Sequence, residues 1–192
     1  MAIDIRNYIM DAFIGLCEKK NIKKISISDI LEKTSVSRQT FYNYFKDKAD
    51  LILQIYLTRI VRLWHSIELP MSYYDAMLDV YNQYSKYKTF MKQALSINDQ
   101  NCLADFMVDY CIKFDYEWHQ SLFGSSPLPD HICLAIEYHS RAAMDIAIWW
   151  IVSDSTISPE TIVTMIQSMR DSTLSNLLGI KDTHVNPYST SN

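Results

Sequence analysis

A chain of 192 residues can bury roughly 70% of the surface it exposes when unfolded, so it needs no staple of disulfide or metal. Three Gly, five Pro and 48% hydrophobic residues leave few breakers and long periodic stretches, which predict an all-α fold and exclude a Gly-rich phosphate-cradling loop. The net charge of −4 speaks against nucleic-acid binding by the chain as a whole, but residues 1–48 carry nine Lys/Arg against six Asp/Glu (+3) and residues 49–192 carry nine against sixteen (−7). A basic head on an acidic body suits a protein that holds one end against an anion.

In chain order, "MAIDIRNYIM" is charged within its first six residues, so no signal peptide is expected and the chain is placed in the cytoplasm. Ile5, Ile9, Ala12, Phe13, Leu16 and Cys17 make one apolar stripe, which predicts a helix over 4–20 closed by a left-handed Asn21. Ser26 and Asp29 form a capping box ahead of a short second helix. After the turn "TSVS", Ser37 is placed to cap a third helix, and Asp47 with Asp50 opens a fourth over 48–69, ended by Pro70. Further helices are expected over 72–85, 87–96, 101–123, 130–152 and 159–178, the last started by Ser158-Pro159 and stopped by Gly179. The longest strongly apolar run, 146–152, is too short to cross a membrane, for which ~20 residues are required. Cys17, Cys102, Cys111 and Cys133 lack a C-x-x-C pairing and read as small buried hydrophobes.

Two short helices joined by a tight turn form a helix-turn-helix. At 100° per residue, Phe41 and Phe45 share a core-facing side, and Gln39, Tyr42 and Asn43 point away from it with Arg38 and Thr40 on the flanks. Amide, hydroxyl and guanidinium groups on one exposed face are the set that reads base edges and phosphates in a major groove. Lys48, in the first turn of the fourth helix, adds charge near the same edge, beside backbone N–H groups that suit a phosphate.

At "SISDI", "VSRQTFYNYF" and "KDKADL" the sequence resembles the tetracycline-repressor (TetR) family of bacterial transcription regulators, specifically over about residues 5–55. The resemblance implies double-stranded operator DNA as partner, contacted by Ser28, Ser37, Arg38, Gln39, Thr40, Tyr42, Asn43, Tyr44 and Lys48. Ser35 and Asn21 stand where that family often has Gly, so a slightly altered turn is expected at each. "HSRAAMDIAIWWIVSDSTISPETI" is similar to a C-terminal variant that includes regulators linked to dihydroxyacetone kinase operons. The division implied is a DNA-binding domain over 1–47, a helical ligand-binding and dimerisation domain over 48–180 and a flexible tail over 181–192.

In the body, Tyr81, Tyr84, Phe90, Phe106, Tyr110, Phe114 and Trp118 are spaced to project inward from neighbouring helices. All but Phe90 are taken as the wall of a small-molecule effector site, with a filled aromatic core as the alternative. An acidic body favours a neutral or cationic effector unless Arg141 is buried. Ile146, Trp149 and Trp150 with Ile162, Met165, Ile166, Met169, Leu174 and Leu177 are expected to form a homodimer interface. Glu117 and His119 are two residues apart, and His131 and His139 eight apart, so neither pair makes an i, i+4 metal site. With no nucleophile-elbow, P-loop or dinucleotide fingerprint either, no enzyme, metal or cofactor is expected. The reading is a ligand-controlled, dimeric DNA-binding regulator, with a helix-turn-helix adaptor or coactivator controlled by a protein partner as the alternative. A rigid fourth helix from Lys48 to Trp64 and Leu69 is expected to link pocket and DNA.

Overall fold

The computed structural model describes residues 4–62, 72–98, 102–124 and 126–172, and these are helical with connecting turns. α1 (Ile5–Cys17) starts on Asp4, whose carboxylate accepts from Asn7 N at 3.1 Å, and buries Ile9, Met10, Ala12, Phe13 and Cys17. It ends at Cys17, where the stripe ends, and short of the expected bound at residue 20. Asn21 is not left-handed: at φ −59°, ψ 130° its side chain accepts from Lys23 N and starts a 3-10 turn, Ile22–Lys24. The short Asn carbonyl opens a new turn there instead of closing the old helix.

α2 (Ile27–Thr34) begins with the complete Ser26/Asp29 box, and Ser35 takes the left-handed conformation (φ 56°) that ends it. α3 (Arg38–Tyr44) is capped by Ser37, and α4 (Lys48–Ile55) by Asp47. The expected fourth helix over 48–69 is not α-helical through its described part, which leaves the α-form after Ile55. A π-helical segment, Tyr56–Ile60, follows α4 and is closed by Val61, whose N–H reaches Tyr56 O at 3.1 Å. Thr58 Oγ1 donates to Gln54 O at 2.6 Å, competing for a carbonyl of the α-ladder, which is one way such a widening is set up. Trp64, Leu69 and Pro70 lie outside the described residues.

The body comprises α5 (Tyr73–Lys86), α6 (Lys88–Leu95), α7 (Leu103–Phe123), α8 (Asp130–Val152) and α9 (Pro159–Arg170). Ser72 and Ser158 cap α5 and α9, each accepting from the N–H three residues on. α7 packs along α8, α5 along α9, and α6 lies between α1 of the head and α8. Leu174, Leu177 and Gly179 fall outside the described residues. Head and body share one continuous apolar core, which runs from Ile9, Ile30, Phe41 and Leu51 through Tyr56 and Phe90 to Met144 and Ile162. Phe13 of α1 meets Phe90 of α6 edge to face across the join, ring centres 6.3 Å apart. Full burial of such a side chain stabilises by about 1.5–3 kcal/mol. All four cysteines are free thiols; Cys17 and Cys111 are buried as expected, whereas Cys102 and Cys133 are only partly covered. Among the described residues, no helix is long and apolar enough to cross a membrane.

Candidate nucleic-acid interface

α3 is only seven residues long, so its pose depends on its two ends and one buried side. Phe41 and Phe45 are buried, with ring centres 5.6 Å apart, and anchor it to the head. At its start, Ser37 Oγ accepts from Thr40 N at 3.0 Å and meets Thr40 Oγ1 at 2.8 Å, which fixes the first turn. With that side and that end held, the remaining face is presented outward.

That face carries Ser37, Arg38, Gln39, Tyr42, Asn43 and Tyr44, all exposed, with Thr40 half-buried at its edge. Tyr42 is 47% and Tyr44 42% exposed, so two phenols stand at the surface of this short helix. Arg38 Nη2 donates to Ser28 Oγ of α2 at 3.3 Å, so the two helices offer one joined hydrogen-bonding surface. Nearby, a hydrogen bond from the Lys20 ammonium holds the Asp29 carboxyl well below the usual carboxylate range.

Lys48 is the departure in this set. Its ammonium donates to Ile22 O and Ile25 O, both at 3.0 Å, and so ties α4 to the 3-10 turn where a free cation was expected. The first turn of α4 is also occupied: Asp47 Oδ1 accepts from Asp50 N, and Asp50 Oδ2 accepts from Lys46 N, both at 2.8 Å. Two carboxylates there oppose the expected phosphate contact by backbone N–H groups. Lys46, exposed in the turn between α3 and α4, is the cation that the sequence pattern passed over, since no helical period marks it.

In the body the expected aromatic wall is brought together, but ring packs on ring. Tyr81 lies 5.5 Å from Tyr84 and 5.2 Å from Trp150, and Phe106 lies 5.7 Å from Tyr110 and 6.1 Å from Tyr56. Phe114 is 5.9 Å from Trp118. Burial pushes the Tyr56, Tyr81 and Tyr84 phenols well above their ordinary range, so they stay neutral. A concavity of about 220 Å³ lies elsewhere, between α5, α8 and α9, lined by Tyr73, His139, Ala143, Ile146, Ile166 and Arg170 among others.

Behind that concavity sits a buried polar network. Asp115 accepts from Arg170 Nη1 at 2.9 Å and from Ser140 Oγ at 2.7 Å, and the guanidinium lies 3.7 Å over the Tyr73 ring. His119 Nδ1 is 2.7 Å from Asp115 O and Nε2 is 3.5 Å from Arg170 Nη2. A carbonyl only accepts and a guanidinium only donates, so the proton is on Nδ1 and the ring is neutral. Burial, with Arg170 beside it, holds the His119 pKa below its ordinary value. Among the described residues there is no cluster of His, Cys, Asp and Glu that could hold a metal ion. Arg141, considered above as a buried charge, is exposed and paired with Glu137 at 3.0 Å.

The expected dimer residues divide in two. Trp150, Ile162 and Ile166 are buried within the protomer, Trp150 donating its indole N–H to Ile157 O at 2.9 Å, and Ile146 is half-buried. Trp149, Met165 and Met169 remain exposed, joined on α8 by Leu134, Tyr138 and Val152, which the pattern did not single out.

Residues 9–55 match the family described as "Bacterial regulatory proteins, tetR family", and residues 72–172 match "Transcriptional regulator C-terminal region". A curated relative, the "HTH-type dhaKLM operon transcriptional activator DhaS" of Lactococcus lactis subsp. lactis (strain IL1403), is 27% identical over an alignment of 127 positions that covers 61% of this chain and 68% of the relative. The solved structure titled "Dihydroxyacetone kinase operon activator DhaS" superposes with a TM-score of 0.72 at 19% identity, over 95% of this chain and 100% of that one, a likeness of fold.

Proposed function

This chain belongs to the tetR family of bacterial regulatory proteins and is a transcription regulator, and from that premise we propose that it binds a two-fold operator as a homodimer through α3. The observation that carries this is the face of Arg38, Gln39, Tyr42, Asn43 and Tyr44, held outward by buried Phe41 and Phe45. Gln39 and Asn43 supply amides able to pair in bidentate fashion with adenine, and Arg38 suits guanine or a phosphate. Ser28, Ser37, Thr40 and the two tyrosines position the helix on phosphate oxygens, and Lys48 acts behind them by fixing the start of α4. The apolar strip of Leu134, Tyr138, Trp149 and Val152 on α8 with Met165 and Met169 on α9 joins the two copies, placing the heads about one DNA turn or a small multiple apart.

Control by a small effector fits the concavity between α5, α8 and α9 better than the interior between Tyr84 and Trp118, where the rings already touch. Its size suits a small metabolite, with polar groups of His139 and Arg170 at the wall. The same filled interior favours a second reading, control by a protein partner. Native mass spectrometry separates them: a discrete bound metabolite supports the effector, and a stable hetero-complex with no small molecule supports the partner. Genome-wide mapping of bound sites tests the function itself and should return a palindromic motif upstream of a small set of genes. A dihydroxyacetone kinase operon among them would extend to this chain the role that the relative's name carries. A protein distributed without sequence preference would refute operator binding.

A further inference from the structure

Arg6 with Gln54 and Asp11 with Arg59 join α1 to the fourth-helix region, and a further polar link joins the head to α6. Gln93, half-buried on α6, places its side-chain amide between two backbone groups of the head. Its Nε2 donates to Cys17 O at the end of α1, and its Oε1 accepts from Ile22 N in the first position of the 3-10 turn. The amide's orientation is unambiguous, because the carbonyl can only accept and the N–H can only donate. Gln93 thus bridges the gap between the end of α1 and the next turn as a missing peptide unit would.

The chain of contacts runs on in both directions. Ile22 returns its own carbonyl to the Lys48 ammonium at 3.0 Å, and Lys48 is the first residue of α4, just beyond the recognition helix. On the other side, Lys88 and Lys92 of the same α6 both pair with Asp154, in the turn that ends α8. Those two hydrogen bonds hold the Asp154 carboxyl down to about 2, although exposure keeps their contribution to stability small. α8 also carries Trp149 of the exposed apolar strip. α6 is therefore a short strut between the surface assigned to dimerisation and the head, while the route along the fourth helix passes through the π-helical segment Tyr56–Ile60.

We propose that Gln93 is a positioning residue that sets the angle of the DNA-binding head on the body, and through it the separation of the two recognition helices in the dimer. The proposal rests on the operator-binding reading above, and it concerns which operators fit. A head clamped by two hydrogen bonds to α6 accepts one half-site spacing. A head that meets α6 only through apolar contacts such as Phe13 against Phe90 keeps its links to the fourth-helix region but can tilt against α6, and so tolerates more than one.

The test uses the full chain with Gln93→Met, which keeps length and volume but cannot form the two hydrogen bonds, and Gln93→Glu, which keeps the acceptor for Ile22 N and loses the donor to Cys17 O. Two quantities are read: amide hydrogen exchange at Ile22, with the Phe41 and Phe45 amides as controls inside the head, and affinity for a ladder of operators with half-sites moved apart by single base pairs. The Gln93→Met chain should exchange Ile22 on the order of tenfold faster with the controls unchanged. It should bind the best spacing more weakly than wild type and lose less on each change of spacing, and Gln93→Glu should fall between. Loss of stability alone would lower affinity at every spacing by one factor and leave the ladder's shape intact. An unchanged ladder, or an unchanged Ile22 exchange rate, overturns the proposal. A wild-type chain that binds no operator overturns the DNA-binding reading instead, and leaves Ile22 exchange to decide whether Gln93 holds the head.

Discussion

Asp115 and Arg170 meet where both side chains are almost fully excluded from water, 1% and 8% exposed, and a buried pair of this kind is costly to break and cheap to replace. Arg170→Met leaves the carboxylate with Ser140 as its remaining described partner and should lower stability by about 3–5 kcal/mol, measured by denaturant unfolding. Adding Asp115→Leu should recover much of that loss; a double variant as unstable as the single one would mean the residues act separately. His119 gives the pH dependence. Its folded pKa is depressed, so the unfolded chain binds the extra proton first as pH falls. The stability associated with its neutral form is complete above the ordinary value of about 6.5 and is lost as pH drops below it. His139, also depressed by burial and by Arg170, works in the same direction. Unfolding free energy should therefore fall between pH 7 and 5, and a His119→Asn chain should lose less over that range. None of this network was legible in the sequence. Asp115, His119, Ser140 and Arg170 come from three helices, and spacing along one helix says nothing about partners on another.

Helix starts were the most legible elements, because a cap is a local device. Ser26, Ser37, Asp47, Ser72 and Ser158 each accept from the N–H three residues on, and the short polar residue ahead of an apolar period marks four of them in the sequence. Ser37→Ala should cost about 1 kcal/mol of stability and weaken operator binding more than that, since a seven-residue helix has little else to hold its first turn. Comparing the unfolding loss with the binding loss checks it, and equal losses would mean the cap serves the fold alone. Lys48 and the Tyr56–Ile60 segment were not legible, because both depend on contacts made only once the head is folded: the carbonyls of the 3-10 turn for one, the Thr58 bond to Gln54 for the other. Asn21 was misread for the same reason, since its favourable partner is the turn that follows and not the helix that precedes.

For the whole molecule, an apolar stripe on α8 or α9 reads alike whether it faces the protomer's own core or a second copy. Trp150 and Trp149 are adjacent in sequence; one is 7% exposed and the other 53%, and only packing separates them. If the exposed strip joins two copies, Trp149→Glu should yield monomers at micromolar concentration in sedimentation, with the far-ultraviolet helix signal retained. A dimer of unchanged strength would move the interface elsewhere. The basic head and acidic body, visible from the charge count, make the head the end suited to the proposed DNA contact. On the proposed reading the outward face of α3 sets which bases are recognised, and this is open to direct measurement. Selection of bound sites from a random DNA pool, by wild type, Tyr42→Phe, Gln39→Ala and Asn43→Ala, tests it in one experiment. Wild type should select a palindrome. Tyr42→Phe should return the same motif at lower affinity, and each amide variant should lose preference at one symmetric pair of positions, by ~1–3 kcal/mol per base pair. The same motif, at the same strength, from all four proteins would contradict the assignment of α3 as the recognition helix.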